Sequence, residues 1–129
     1  ADLVYIDPPY LSSINNTGVN YHDFYHFLEG ICQYDSWSDK IDHKSKHLRL
    51  KREKTVWEDI GGINKAFETI FERFRDKILV VSYRSTGIPS EQKLIEMLGF
   101  YKKNVSVINK NYKYTLSKNS GSELLFIAK

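Results

Sequence analysis

Cysteine is almost missing: Cys32 is alone among 129 residues. One thiol excludes an internal disulfide framework and any zinc site built on paired cysteines. It fits a reducing compartment, the cytoplasm. The thiol itself reads as a buried structural side chain rather than a nucleophile. Long apolar runs are also missing. Nothing approaches the length of a membrane span, and no secretory signal pattern opens the chain, so no membrane partner is expected. A large excess of one charge is missing too. Nineteen Lys and Arg face sixteen Asp and Glu, for a net charge of +3. That balance permits a polyanionic partner without requiring one. Proline is scarce, and two of the three stand side by side at Pro8 and Pro9.

What remains is an ordinary globular composition, 41% hydrophobic and 27% charged, with nine tyrosines. The length suits one domain with a real core. Residues 2–6 read as a short buried strand of the parallel-sheet kind, and 7–18 as a loop. Phe24, Phe27, Leu28 and Ile31 fall at helical spacing, which predicts a helix over 21–34 with Gly30 as its weak point. Residues 35–54 show no period and read as an exposed excursion. Ile63, Phe67, Ile70, Phe71 and Phe74 make one apolar helix face within 62–76. A strand is expected over 77–84 and a helix over about 90–98, with Gly99 placed to end it as the C′ residue. Two strands, 103–110 and 122–129, close the chain. Strands alternating with helices predict an α/β fold with a mainly parallel sheet, and the last two strands are expected to pair antiparallel.

The chemistry concentrates in "DLVYIDPPY". In open parallel sheets ligands sit beyond the carboxyl ends of strands, and Asp7 to Tyr10 follow such an end. Pro8 biases Asp7 to an extended backbone. Pro8 and Pro9 fix two φ angles and donate no backbone hydrogen bond. A stiff projection results, with carbonyl acceptors, one carboxylate and one aromatic face. Such a set suits a planar substrate bearing an amino group, stacked on Tyr10. Two acceptors on the amino hydrogens draw the nitrogen toward tetrahedral geometry and stabilise the positive charge that grows as it attacks an electrophile. The alternative is plain punctuation, a Pro-Pro turn with a capping aspartate.

"DPPY" after an apolar strand resembles the catalytic motif of amino-methyltransferases that use S-adenosylmethionine. With "SYRSTGIPS" and "SKNSGSELL", it resembles the Dam-like DNA adenine-N6 methyltransferase family over nearly the whole chain. The resemblance implies a partial Rossmann-like methyltransferase fold. It implies that Asp7 and the Pro8 carbonyl hold the adenine amino group, that Tyr10 stacks on a flipped base, and that Pro9 keeps the loop rigid. Asp7 would also lie near the sulfonium of the cofactor. A departure accompanies it: the family's Phe-x-Gly-x-Gly cofactor loop is nowhere in this sequence, and Gly61-Gly62 reads as a helix break. Ala1 also stands where an initiator methionine would. The chain, 1–129, is therefore expected to be the carboxyl-terminal part of one catalytic domain, inactive alone, with a truncated sheet edge open to self-association.

Residues 39–54 carry seven Lys and Arg against three acids. Lys44, Lys46, Arg49, Lys51 and Arg52 are candidate phosphate contacts, or else a solvated loop. Tyr112, Tyr114 and Lys118 interleave rings with charge, either as a nucleic-acid surface or as an exposed hairpin. Ser82, Tyr83 and Arg84 end the best strand and are candidates to line a pocket, with an Arg84 ion pair as the simpler option. His22 and His26 are four apart but lack a partnering acid pattern, so no metal is expected. Three functions stay open: transfer of a methyl group to DNA adenine, the same chemistry on RNA or a glutamine amide, and a non-catalytic nucleic-acid-binding remnant.

Overall fold

A computed structural model describes residues 1–14, 18–112 and 121–129. Four strands form one sheet: β1 (Leu3–Ile6), β2 (Ile78–Arg84), β3 (Val105–Tyr112) and β4 (Gly121–Ala128). Among the described residues five α-helices accompany them: α1 (Tyr21–Phe24), α2 (His26–Cys32), α3 (Trp37–Lys40), α4 (Ile63–Arg73) and α5 (Glu91–Tyr101).

The strand order is β1-β2-β4-β3. β1 runs parallel to β2, while β4 is antiparallel to both β2 and β3. The expected antiparallel final pair is present. The expected mainly parallel sheet is not: one pairing is parallel and two are antiparallel. β4 turns back from β3 and inserts beside β2 instead of lying beyond β3, which makes the sheet mixed. This α/β arrangement is compatible with a methyltransferase fold.

Strand alternation decides the core. Leu79, Val81 and Tyr83 of β2 are fully buried, as are Leu124, Phe126 and Ala128 of β4. On α4, Ile63, Phe67 and Phe71 recur at i, i+4 and i+8, and all three are buried. α5 adds Leu94, Met97 and Leu98, and one cluster joins both helices to this sheet face. The Ser90 hydroxyl caps α5 by accepting from the Lys93 amide at 3.3 Å. α5 does not end at Gly99, which sits inside it with negative φ and open space around its missing Cβ. The helix continues because Tyr101 packs on the core and the Lys102 ammonium donates to the carbonyls of Arg75 and Lys77.

Other expectations change. The single helix over 21–34 is two, broken at Tyr25, where ψ turns to 26°. Gly30 is no weak point: it is buried, and a Cβ there would lie 2.3 Å from the Trp37 ring. The spacing of Phe24, Phe27, Leu28 and Ile31 is real, yet all four are exposed, because the described core lies under α4 and α5. Cys32 lies at the end of the same uncovered helix and is exposed, not buried. The 35–54 excursion folds back on itself through an antiparallel bridge between Ile41 and Leu50. Leu50 is almost wholly buried at its base.

Candidate active site

Asp7 follows the last residue of β1, at the carboxyl end of the one parallel pair. Asp7 is exposed, Pro8 is buried, and Pro9 and Tyr10 are partly buried. A buried proline thus stands next to a solvent-exposed carboxylate.

The following loop is pinned to the loop after β2. The amide of Ser13 donates to the carbonyl of Thr86 at 3.0 Å, and the Ser13 hydroxyl reaches the same oxygen at 2.9 Å. The amide of Ile88 donates to the Leu11 carbonyl at 2.8 Å. Tyr83 fills the space between. Its hydroxyl donates to the Ile88 carbonyl, and its ring meets the Phe67 ring edge-on at 5.5 Å. Burial pushes the Tyr83 phenol up to about 12, against the opposing pull of the Leu11 backbone and Arg84. Gly87 is required here by close approach: a Cβ would come within 2.3 Å of the Tyr83 ring.

Tyr10 stands on this platform. Its ring meets that of Tyr83 edge to face, with centroids 5.3 Å apart and an interplanar angle of 88°. Its hydroxyl lies 3.2 Å from Asp7 Oδ1 and 3.4 Å from Glu123 Oε2. Burial raises the Tyr10 phenol well above its ordinary value; a hydrogen bond from Ser82 is the main opposing pull, and the charges of Glu123 and Asp7 add smaller upward pushes. Glu123 arrives from the start of β4, in register with Arg84 on β2 and Lys110 on β3. Sequence order hides this neighbour, since antiparallel insertion alone brings the first residues of β4 beside the last of β2. The available signal was a single acid at the head of the apolar run "ELLFIA". Of the strand-end residues, Tyr83 supports the site from the core instead of lining it. Arg84 Nε and Thr86 Oγ1 are buried without a hydrogen-bond partner among the described residues.

The basic candidates separate by surroundings. Lys44, Lys46 and Arg49 are exposed on the folded-back excursion. The Lys51 ammonium donates to the Asp39 carbonyl at 2.8 Å. Arg52 is held by two carboxylates, Asp23 at 3.2 Å and Glu58 at 2.6 Å. Tyr112 lies at the end of β3. Tyr114 and Lys118 fall outside the described residues, so the structure does not place them against the site. A groove of about 1050 Å³ opens elsewhere, between residues 52–59 and α4, with Trp57, Lys65 and Ile70 in its lining. No residue of 7–13 or 82–88 borders it. Among the described residues no cluster of His, Cys, Asp and Glu is placed to hold a metal ion, and no helix is long and apolar enough to cross a membrane.

No family model matches the chain, and no solved structure matches it. Two curated proteins do. Type II methyltransferase M2.HphI of Haemophilus parahaemolyticus is 26% identical over 98% of this chain, which corresponds to 34% of that protein. Type II methyltransferase M.FokI of Planomicrobium okeanokoites is 30% identical over 75% of this chain and 14% of its own length. The chain thus spans about a third of the first relative and a smaller share of the second. Over that span the chain is similar in sequence to type II methyltransferases.

Proposed function

We propose that the chain carries the acceptor half of a DNA adenine-N6 methyltransferase of the Dam-like kind, within a partial Rossmann-like fold. The observation that supports this most is Asp7 standing exposed at the carboxyl end of β1, with Tyr10 fixed beside it on Tyr83. Adenine is flipped from the duplex and stacks on Tyr10, a contact worth roughly 1–3 kcal/mol. The Asp7 carboxylate and the Pro8 carbonyl accept the two amino hydrogens, so the nitrogen lone pair leaves ring conjugation. Asp7 also stabilises the charge that builds on that nitrogen during in-line attack. Pro9 holds both acceptors in register.

S-adenosylmethionine, when bound, supplies the electrophilic methyl group. An exposed carboxylate suits its sulfonium, so the residues present fit the reacting end of that cofactor. Lys44, Lys46 and Arg49 are the phosphate contacts in this reading, and Tyr112, Tyr114 and Lys118 further contacts to DNA. Lys51 and Arg52 serve mainly to hold the excursion in place. A bacterial cytoplasmic location follows from the same reading. A second reading is a nucleic-acid-binding remnant without catalysis.

The test is methyl transfer from labelled S-adenosylmethionine to DNA by this chain and by the natural protein that carries it. Mass spectrometry identifies the modified base. N6-methyladenine is expected from the natural protein, and Asp7→Ala is expected to remove most of the rate while leaving the melting temperature unchanged. Label in RNA or in a glutamine side chain moves the acceptor. Cofactor-independent DNA binding with no transfer supports the remnant. An active Asp7→Ala protein ends the role given to that carboxylate.

A further inference from the structure

The Tyr10 phenol has one proton and two carboxylates within reach, Asp7 at 3.2 Å and Glu123 at 3.4 Å. A single O–H satisfies one acceptor fully at a time, so the two compete for it. Glu123 comes from a different strand, and its backbone is anchored by the β2 and β3 ladders on either side. Asp7 sits on the loop side of β1 and is exposed, so it is the carboxylate with freedom to turn. If Asp7 were the sole partner of Tyr10, engaging a substrate amine would strand the phenol or drag the ring after the carboxylate.

We propose that Glu123 is a positioning residue of the acceptor site: it takes over the Tyr10 hydroxyl when Asp7 turns to the amino group, and so keeps the Tyr10 ring in place for stacking. This rests on the methyl-transfer reading above. Edge-to-face packing on Tyr83 fixes the ring at its base, and Glu123 fixes it at its tip. With both ends held, the ring face is set before the base arrives, and Asp7 is released for the amine at no loss of hydrogen bonding by Tyr10.

The experiment uses the natural protein with Glu123→Gln, Tyr10→Phe and the double variant. Each is first checked for an unchanged melting temperature. A fluorotyrosine at position 10 gives a fluorine resonance that titrates with the phenol and needs no turnover. Glu123→Gln is expected to lower that midpoint, because a negative charge facing the phenolate is gone. It is also expected to lower kcat/KM for DNA about fivefold, because the amide oxygen still accepts from Tyr10 but without the carboxylate's charge, with KM for the cofactor unchanged. In the Tyr10→Phe background it should cost nothing further. An unmoved fluorine midpoint overturns the contact. A moved midpoint with unchanged kinetics overturns the positioning role, and so does full additivity of the two substitutions. Absence of transfer by the unsubstituted protein sinks the methyl-transfer reading itself and takes the positioning role with it.

Discussion

At the scale of single residues, the site depends on a glycine that carries no chemistry. Gly87 lies where a methyl group would stand 2.3 Å from Tyr83 Cε1 and 2.9 Å from Cδ1. The Tyr83 ring is fully buried between Phe67 and Tyr10, so it cannot swing away as a surface side chain would. Gly87→Ala is therefore expected to cost about 1–3 kcal/mol of stability through overpacking. Tyr83 and the ring of Tyr10 shift with it, so under the proposed function methyl transfer by the natural protein is expected to fall more than stability alone explains. Calorimetry and transfer kinetics on the same preparation check this, and an unchanged melting temperature would show that the loop has slack. The tight approach was invisible in "STGIPS" read alone, where Gly87 looks like ordinary turn chemistry.

At the scale of elements, one carboxylate ties the excursion together. Glu58 accepts from Arg52 at 2.6 Å, from the Asn20 side chain at 2.8 Å and from the Thr55 amide at 3.1 Å. Asn20 in turn caps α1 by accepting from the Asp23 amide. Burial pushes the Glu58 carboxyl up, but these hydrogen bonds outweigh it and hold the group below its ordinary value. A carboxyl depressed in the folded state stabilises the fold above its unfolded value of about 4.3. That contribution disappears as pH falls through the folded value. Glu58→Gln is expected to be less stable at neutral pH by on the order of 1 kcal/mol, a modest figure because Arg52 is half exposed. The gap should close as pH drops below about 4. Urea titrations at several pH values decide it, since a gap constant with pH would assign the loss to packing. The "DHKSKHLRLKR" run was legible as an exposed basic stretch. Its division into exposed Lys44, Lys46 and Arg49 and a paired Arg52 was not, because the partners Asp23 and Glu58 come from flanking segments.

At the scale of the molecule, helices α4 and α5 cover one sheet face. On the other, Leu3, Tyr5 and Ile108 are exposed, and Val80, Leu125 and Ile127 are only partly buried. α1 and α2 add exposed Phe24, Phe27, Leu28 and Ile31. β1 is also an edge strand with one unpaired side among the described residues. An open edge beside apolar surface favours association between copies. The 129-residue chain is expected to sediment as concentration-dependent oligomers. Tyr5→Lys should shift it toward monomer by placing a charge on that edge. A monomer across the micromolar range would count against the edge as a contact.

The Asp-Pro-Pro-Tyr stretch by itself determined the chemistry on offer. Proline geometry stiffens the loop and presents a carboxylate, a carbonyl and an aromatic ring, all from bonds within four residues. The apolar periods of 62–76 and 77–84 likewise determined α4 and β2, because local spacing alone sets which side chains share a face. Tertiary structure decided whatever depends on distant segments meeting. It inserted β4 beside β2, which made the sheet mixed and delivered Glu123 to Tyr10 from 113 residues away. It also left the apolar faces of α1 and α2 in water and brought Cys32 to the surface. Helical spacing says that a face exists, and only packing says whether anything covers it.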